Sequence, residues 1–522
     1  MTHASMPLFR SLGVVAAAAA LAASAHAQAP NTLRVRLNAD IRSTDPGVNR
    51  DFNTDVVALH LVEGLVGMKE DTTAGPLLAS KVDVSKDGKT YTFKLRDGVT
   101  FHNGAPLTAD DVAWTWKRYL APATQWRCLP EFDGRGIAKI TAITTPDPKT
   151  VVFTLDKPSA LFLTTMARID CGGSGIYHRA SVGADGKWIA PIGTGPFKLG
   201  DWKRAQYVEL LRFDGYASRT DAMDGLTGGK KAEVDRLRFM VIPDDAAAKA
   251  ALLSNGIDLL TDIGVAQLGD LNGQANVKID ISATGNMNGI LFQTRDPLLK
   301  DVRIRRALAL SINTPELVRG VTNALAKPNN SVVPIVSPYY GPVEAAGYKY
   351  DLAQAKKLLA EAGYTGQPIK MLTNKRYAAS FDVALLSQAM AARSGIKIDL
   401  EVIDWAAQLD RYSKGDYQMM SFVYSARLDP SLAFDMLTGP KDTQPRKVWD
   451  NPEVQAKLVE SMQVPEKARR QALFDELHKR MLDDVPLIPL YNGLQITAAN
   501  KKVQGLRTWA AEVPRLWNVK TR

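Results

Sequence analysis

The chain has few of the side chains that catalyse reactions or hold metals. It contains only six histidines and two cysteines among 522 residues. Beyond the N-terminal segment the histidines are widely separated, at His60, His102, His178 and His478. His60 and Glu63 could share a metal across one helical turn, but a surface contact is the more common reason for such a pair. We therefore predict no metal site.

The glycine-rich motifs of hydrolases and nucleotide-binding proteins are incomplete. The segment GGSG at 172–175 is followed by Ile176, so the Gly-x-Ser-x-Gly turn that exposes a nucleophilic serine is absent. Gly193 and Gly195 lack the third glycine of a dinucleotide fingerprint and the Gly-Lys ending of a phosphate-binding loop. A secreted hydrolase would need a base or a metal that these residues do not supply. The expectation is a protein without catalytic activity and without a cofactor.

The chain also lacks a long run of one charge. Its 65 Lys and Arg residues and 55 Asp and Glu residues give a formal net charge of +10, and the two signs are mostly interspersed. A nucleic-acid partner is not predicted, because no basic block or aromatic-interleaved basic stripe is present. A solvated surface with some attraction for acidic solutes is the simpler interpretation.

The main apolar run of the chain lies in the segment 1–27. One basic residue, Arg10, precedes an apolar stretch at 12–23, and AHA at 25–27 supplies the small-x-small pattern of a cleavage site. This pattern predicts a secretory signal peptide, although cleavage after Ala29 would fit nearly as well. A membrane anchor is less favoured because the apolar stretch is short. With no cysteine after the small residues, no lipid anchor is expected, and the mature protein is predicted in the periplasm.

The two cysteines are Cys128 and Cys171. In an oxidising compartment an even pair most simply forms one disulfide. Two buried free thiols are the alternative. Neither interpretation makes these residues catalytic.

The length and the periodicity predict an α/β protein with at least two lobes, since 522 residues are too many for one core. Residues 55–67 have a helical pattern. In the second half, Asp351 is placed to cap a helix, and a helix at 381–393 precedes an alternating strand at 396–402. Helices that alternate with strands in this way imply parallel pairing with helical crossovers.

One segment is specific enough to suggest a family. Residues 90–95 alternate as a half-buried strand does, and Thr108 with Asp111 forms the capping box of a following helix. The whole segment 87–119, DGKTYTFKLRDGVTFHNGAPLTADDVAWTWKRY, resembles the family 5 solute-binding proteins of bacterial ABC importers. That family captures peptides, nickel chelates and related solutes.

Other segments extend this resemblance over nearly the whole mature chain. They are TDP at 44–46, EGL at 63–65, PIGTGPFKLGDW at 191–202 and YDLAQAKKLLAEAGY at 350–364. The resemblance implies a two-lobed periplasmic binding protein of class II and of the large cluster C type. Its first lobe would carry an extra subdomain, and two crossing segments near Gly285 and Tyr491 would form the hinge. The implied divisions are a signal peptide at 1–27, lobe I at 28–62, 189–284 and 490–522, the extra subdomain at 63–188, and lobe II at 285–489.

The resemblance also implies the function. We expect a monomeric periplasmic receptor that captures a peptide or peptide-like solute between its lobes and delivers it to the permease of an ABC transporter. A receptor for a small acidic non-peptide solute or a nickel chelate is the alternative. A secreted hydrolase, or a chaperone or sensor subunit that uses the same fold, would be rivals from other classes.

The strand that ends near Arg427 is the expected ligand-binding element. Family members that bind peptides often place an aspartate just before the following turn, where it holds the ligand amino group. This chain has Ala426 or Arg427 there, while Asp429 belongs to the Asp-Pro turn. A guanidinium suits a carboxylate or a phosphate, so Arg427 is predicted to anchor an acidic group of the ligand. A salt bridge from Arg427 to Asp429 or to a neighbouring carboxylate is the alternative.

Further candidates for ligand contact are aromatic or polar residues near predicted strand ends, and each could instead serve packing. They are Tyr424, Trp405, Tyr491, Asn286, Asn288 and Arg42.

Overall fold

The computed structural model describes residues 1–2, 31–427 and 429–521, without the side chains of residues 266 and 378. Apart from its first two residues, the predicted signal peptide therefore lies outside the described part of the chain. The strands, in chain order, are β1 (Thr32–Leu37), β2 (Val66–Met68), β3 (Ala74–Pro76), β4 (Ala79–Val84), β5 (Thr90–Leu95), β6 (Ile140–Asp147), β7 (Thr150–Leu155), β8 (Phe197–Lys203), β9 (Tyr207–Arg212), β10 (Arg236–Val241), β11 (Leu259–Leu260), β12 (Val277–Phe292), β13 (Ile369–Thr373), β14 (Ile398–Val402), β15 (Met419–Tyr424), β16 (Leu487–Asn500), β17 (Val503–Gln504) and β18 (Lys520–Thr521).

The helices surround these strands. In chain order they are α1 (Phe52–Leu61), α2 (Ala109–Tyr119), α3 (Leu129–Phe132), α4 (Phe162–Met166), α5 (Asp245–Leu253), α6 (Leu268–Leu271), α7 (Val302–Ser311), α8 (Thr314–Val321), α9 (Pro342–Ala345), α10 (Leu352–Glu361), α11 (Ala378–Ala392), α12 (Trp405–Lys414), α13 (Pro430–Leu437), α14 (Pro452–Gln463) and α15 (Lys467–Asp484). Short 3₁₀ turns cover Pro122–Thr124, Ile169–Ser174, Arg179–Ser181 and Val265–Gln267. Within the described residues, every helix is too short or too polar to reach across a bilayer.

A mixed sheet of ten strands runs through both halves of the molecule. Its order is β14-β13-β15-β12-β16-β11-β1-β10-β9-β8. Parallel pairs occur in each half, between β1 and β10 and between β13 and both of its neighbours. The predicted parallel pairing with helical crossovers is therefore present in the second half, where α11 connects β13 to β14.

Two long strands at the centre of this sheet connect the two halves. β12 has 16 residues and β16 has 14, and they pair in antiparallel fashion from Val277 opposite Asn500 to Leu291 opposite Leu487. The register shifts between Ala283 and Met287, so the ladder is interrupted there. The sequence places its hinge near Gly285, inside this interruption. An interrupted ladder has fewer fixed hydrogen bonds, which suits a bend between two lobes.

The buried apolar side chains divide in the same way. Two clusters of buried apolar side chains, one large and one small, are formed by residues within 33–277 and 496–519. Two other clusters are formed by residues within 287–491. Leu490 and Tyr491 pack in the second group, although the sequence assigns 490–522 to lobe I. We use lobe I and lobe II for the parts of the molecule built around these two groups.

The segment that suggested the family forms a small layer on lobe I. The strands β4, β5, β7 and β6 make an antiparallel sheet in that order. Helix α2 begins after Thr108, whose backbone amide donates to the Asp111 carboxylate at 3.1 Å, as a capping box requires. The Thr108 hydroxyl donates to the same carboxylate oxygen at 2.7 Å. Trp116 and Tyr119 on this helix are fully buried, so the layer is anchored to the core of lobe I.

The helical pattern at 55–67 is only partly correct. Helix α1 ends at Leu61, and Val66–Met68 is the strand β2. Just after the helix, the carbonyl oxygens of Leu61 and Glu63 accept from the backbone amides of Gly195 and Ile176, at 3.0 and 2.8 Å. The chain therefore bonds to segments distant in the sequence here instead of continuing the helix.

Candidate ligand-binding cleft

A cavity of about 560 Å³ lies between the lobes. This volume is within the range of clefts that enclose small organic ligands. Apolar side chains from both lobes, among them Phe52, Met68 and Leu432, form part of its walls. The charged side chains that line it are Arg50, Asp55, Arg127, Glu131, Arg168, Asp170 and Glu512 from lobe I, and Arg427, Asp429, Asp435 and Arg446 from lobe II.

Most of the charges of lobe I neutralise one another. Arg127 and Arg168 both donate to Asp170 Oδ2, at 2.9 and 2.8 Å, and Arg168 also donates to Glu131 Oε1 at 2.8 Å. Burial raises the pKa of Asp170, but the hydrogen bonds from the two arginines outweigh it and bring that pKa to about 2. The carboxylate is therefore charged at any physiological pH, and this network has little free charge to offer a ligand.

The disulfide lies directly beside this network. Cys128 and Cys171 are joined, with their Cα atoms 5.5 Å apart. They are the immediate neighbours of Arg127 and Asp170, so the bond fixes the two chain segments that carry this ion pair. Both sulfurs also lie within 4.8 Å of an Asp170 oxygen. Since each sulfur is in the disulfide, neither can bind a metal as a thiolate.

Arg427 differs from the arginines of lobe I. Its guanidinium donates to the carbonyl oxygen of the adjacent Ala426 at 3.0 Å, and it forms no ion pair with a carboxylate among the described residues. Partial enclosure in the cleft, and then the positive charge of Arg168, lower the pKa of Arg427. Arg446 is a second exposed arginine of lobe II on this cavity, and within residues 31–427 and 429–521 it too has no ion pair.

Asp429, the predicted alternative partner of Arg427, is bonded to other residues. Asp429 accepts from Arg470 Nη2 at 2.7 Å and from the backbone amide of Ser431 at 2.9 Å. Asp429 and Arg470 are both buried, and Asp429 is the N-cap of α13. The Asp-Pro turn thus has the structural role that the sequence predicts for it, and the predicted alternative, a salt bridge from Arg427 to Asp429, is absent.

Asn286 connects the two lobes behind the cavity. Its Nδ2 donates to Glu512 Oε1 at 3.2 Å, and its Oδ1 accepts from the backbone amide of Ala426 at 2.7 Å. Its carbonyl oxygen accepts from Asn492 Nδ2 on β16 at 3.1 Å. Because Asn286 lies at the interruption of β12, one side chain links the hinge, the C-terminal part of lobe I and the loop that carries Arg427.

Glu512 is a carboxylate without a cation. It is half-buried, it lines the cavity, and it has no ion pair within the described part of the chain. Burial, and then the negative charge of Asp262, raise the pKa of Glu512 to about 7, while the hydrogen bond from Asn286 offsets part of this rise. The cleft therefore holds unpaired positive charge on lobe II and an unpaired acid on lobe I.

The other predicted contact residues lie away from the cavity walls. Tyr424 and Tyr491 are buried in lobe II, and the Tyr424 hydroxyl accepts from that of Tyr412 at 3.2 Å. Trp405 packs against Tyr377 and Phe422. Asn288 is buried within β12, and Arg42 is exposed beside Asp51, with an N to O distance of 3.5 Å. Ligand contact by these five residues stays a prediction.

The pair that first suggested a metal is also separated. His60 is fully buried in α1, where its Nδ1 lies 2.7 Å from the Val56 carbonyl oxygen. Glu63 lies outside the helix and accepts from Lys230 Nζ at 2.7 Å. Both residues serve the core of lobe I, so the predicted surface contact is wrong.

Sequence reasoning missed Arg168, Asp170, Arg446 and Glu512 as cavity residues. Arg446 and Glu512 are in no motif, and only tertiary structure brings them to the cleft. Asp170 could have been found, because it is next to Cys171 just as Arg127 is next to Cys128. A disulfide between the cysteines implies that these neighbours lie close together.

Two lobes joined by central strands around a charged cleft define a class of protein that encloses a solute. The comparison with known families agrees with this class. The family model for bacterial extracellular solute-binding proteins, family 5 Middle, matches residues 73–445. The chain belongs to the bacterial extracellular solute-binding proteins of family 5.

Individual relatives are similar over almost their whole length. The glutathione-binding protein GsiB of Escherichia coli O6:K15:H31 is 27% identical over 505 residues, which are 94% of this chain and 94% of GsiB. HbpA2 from Haemophilus parasuis has a TM-score of 0.81 at 24% identity, covering 94% of this chain and all of that one, and so supports the fold. The periplasmic binding protein DppA from Helicobacter pylori, solved with the peptide STSA, has a TM-score of 0.69 at 25% identity over 94% and 98% of the two chains.

Proposed function

We propose that the protein is a monomeric periplasmic receptor, exported by the predicted signal peptide, that encloses a peptide or peptide-like solute and delivers it to an ABC permease. Family membership supports the receptor function. The names of two relatives, a glutathione-binding protein and a protein solved with a peptide, support the peptide-like class. The cavity of about 560 Å³ is large enough for a short peptide.

The observation that carries the ligand assignment is the unpaired guanidinium of Arg427. Arg127 and Arg168 of lobe I already donate to Asp170 and Glu131, and Arg50 donates to Asp55, so a ligand would have to break those bonds to reach them. Arg427 gives up no carboxylate partner when it binds a solute. Its planar fork can donate two parallel hydrogen bonds to one carboxylate. The C-terminal carboxylate of a short peptide is the group that we assign to it.

The same guanidinium would suit the carboxylates of a small acidic non-peptide solute or of a nickel chelate. These two classes are the alternatives, and they differ from a peptide because they need no free amino group.

Titration of the purified protein tests the assignment of Arg427. The probes are glutathione and a pool of tripeptides of mixed sequence, followed through tryptophan fluorescence. We expect Arg427→Ala to weaken binding by about 10- to 100-fold, the worth of a hydrogen bond to a charged group. The unfolding temperature without ligand should not fall, because among the described residues Arg427 has no ion pair to lose.

The matched control is Arg319→Ala, which removes an exposed arginine of α8 outside the cavity. It should bind as the wild type does. Unchanged affinity in Arg427→Ala would remove Arg427 from the site. If the protein bound acidic solutes but neither glutathione nor any tripeptide, a small acidic non-peptide solute would replace the peptide as the proposed ligand.

A further inference from the structure

Glu512 is in an unusual backbone conformation. Its φ is +66°, in the left-handed region, which is rarely occupied by a residue with a long side chain. Two hydrogen bonds hold this turn: the amide of Glu512 donates to the Trp509 carbonyl oxygen at 3.1 Å, and Gln495 Nε2 donates to the Glu512 carbonyl oxygen. Strained conformations of this kind cost free energy and are concentrated at functional sites.

The surroundings of Glu512 do not stabilise a negative charge. Among the described residues, its carboxylate accepts one side-chain hydrogen bond, from Asn286, while Asp262 adds a second negative charge nearby. Burial without a cation is costly for a carboxylate. A positively charged group that entered the cavity would remove this cost and would fill the missing position of an ion pair.

The unpaired groups of opposite sign share one cavity. Arg427 and Arg446 come from lobe II and Glu512 from lobe I. Asn286 contacts Glu512 and the amide of Ala426, the residue before Arg427, so in this conformation it links the two chain segments that carry the opposite charges.

We propose that Glu512 is the ammonium site of the cleft, so that the receptor selects a zwitterionic solute with its amino group on Glu512 and its carboxylate on Arg427 and Arg446. This inference rests on the proposed function, because it adds a second anchor to the same cleft. A short peptide with free termini has the required chemistry. Asn286 is a positioning residue, since it orients Glu512 without needing to touch the solute.

Three ligand pools test the ammonium site on the full chain. They are mixed-sequence tripeptides with both termini free, the same pool with N-terminal acetylation, and the same pool with C-terminal amidation. We expect the wild type to bind the acetylated pool about 10- to 100-fold more weakly than the free pool, as expected for the loss of one charged hydrogen bond. The amidated pool should show a loss of similar size.

The variant Glu512→Gln links this loss to one residue. It should weaken binding of the free pool by the same factor, and it should leave binding of the acetylated pool unchanged. The control Glu361→Gln makes the same change at an exposed position at the end of α10. It should alter neither affinity. Circular dichroism and the unfolding temperature of Glu512→Gln verify that the variant is folded.

The outcomes separate this inference from the receptor proposal. If the wild type binds free and acetylated pools equally, or if Glu512→Gln weakens both equally, the ammonium site is wrong while the receptor stands. If Arg427→Ala fails to weaken binding of any pool, the carboxylate anchor of the proposed function is wrong as well. The comparison of pools on the wild type needs no variant, so poor folding of Glu512→Gln would not prevent the test.

Discussion

The disulfide between Cys128 and Cys171 should contribute a large share of the stability of lobe I. The perturbation is the double variant Cys128→Ser/Cys171→Ser. The two cysteines are 43 residues apart in the sequence, and for a closed loop of that length the chain-entropy relation gives about 4 kcal/mol at 25 °C. Free energies of unfolding are commonly about 5–15 kcal/mol. Loss of the bond should therefore lower the urea midpoint of lobe I clearly.

Tryptophan fluorescence follows the unfolding in this experiment, and Trp126, one of the nine tryptophans of the chain, lies beside the disulfide. Its indole Nε1 donates to the Cys171 carbonyl oxygen at 3.1 Å, and the side chain is buried. Urea unfolding is measured for the oxidised protein, for the protein reduced with dithiothreitol and for the double variant. The reduced protein and the double variant should share one urea midpoint, and that midpoint should be lower than the midpoint of the oxidised protein. If all three unfold at the same urea concentration, the entropic reasoning is wrong. A lower midpoint in the double variant alone would assign the loss to the serine substitutions.

Two further predictions concern charge. Asp429→Ala should reduce the free energy of unfolding by about 3–5 kcal/mol, because Arg470 would stay buried without its carboxylate partner. Urea unfolding measures this loss, and Arg427→Ala, which should not change the stability, is the control. Burial and the charge of Asp262 raise the pKa of Glu512 to about 7 in the folded protein. The folded protein therefore keeps the full contribution of this residue to stability below the pKa that Glu512 has in the unfolded chain. That contribution is lost as the pH rises through 7. Glu512→Gln should therefore gain up to about 3 kcal/mol of stability relative to the wild type between pH 4 and pH 8, and a difference in unfolding temperature that does not change with pH would contradict this.

Short-range patterns predicted the parts of the fold that short-range physics decides. The alternation at 90–95 coincides with β5, and the capping box at Thr108 marks the start of α2. Asp351 likewise caps α10. In each case the residues that determine the strand or the helix start lie within a few positions of it, so no distant contact decides where the element begins.

Long-range contacts decided the rest. The helical pattern of 55–67 stops early where Leu61 and Glu63 bond to the backbone of Gly195 and Ile176, contacts that the sequence pattern cannot show. Their places near predicted strand ends made Tyr424 and Tyr491 candidates for ligand contact, but a place in the sequence could not tell a residue that lines the cleft from one that packs in the core. The hydroxyl of Tyr424 has a partner in Tyr412, and the residue belongs to the core of lobe II.

The distribution of unpaired charge explains how a solute could close the cleft. The ion pairs of Arg127, Arg168 and Asp170 lie within lobe I, so they are equally satisfied whether the lobes are together or apart. Arg427 and Glu512 are on different lobes, and in the proposed binding mode a solute that satisfies both would hold the lobes together. A ligand shifts a conformational equilibrium only through contacts that differ between the two states. A zwitterion bound at both ends makes such contacts in the closed form, whereas a purely acidic solute on Arg427 would leave Glu512 without a cation.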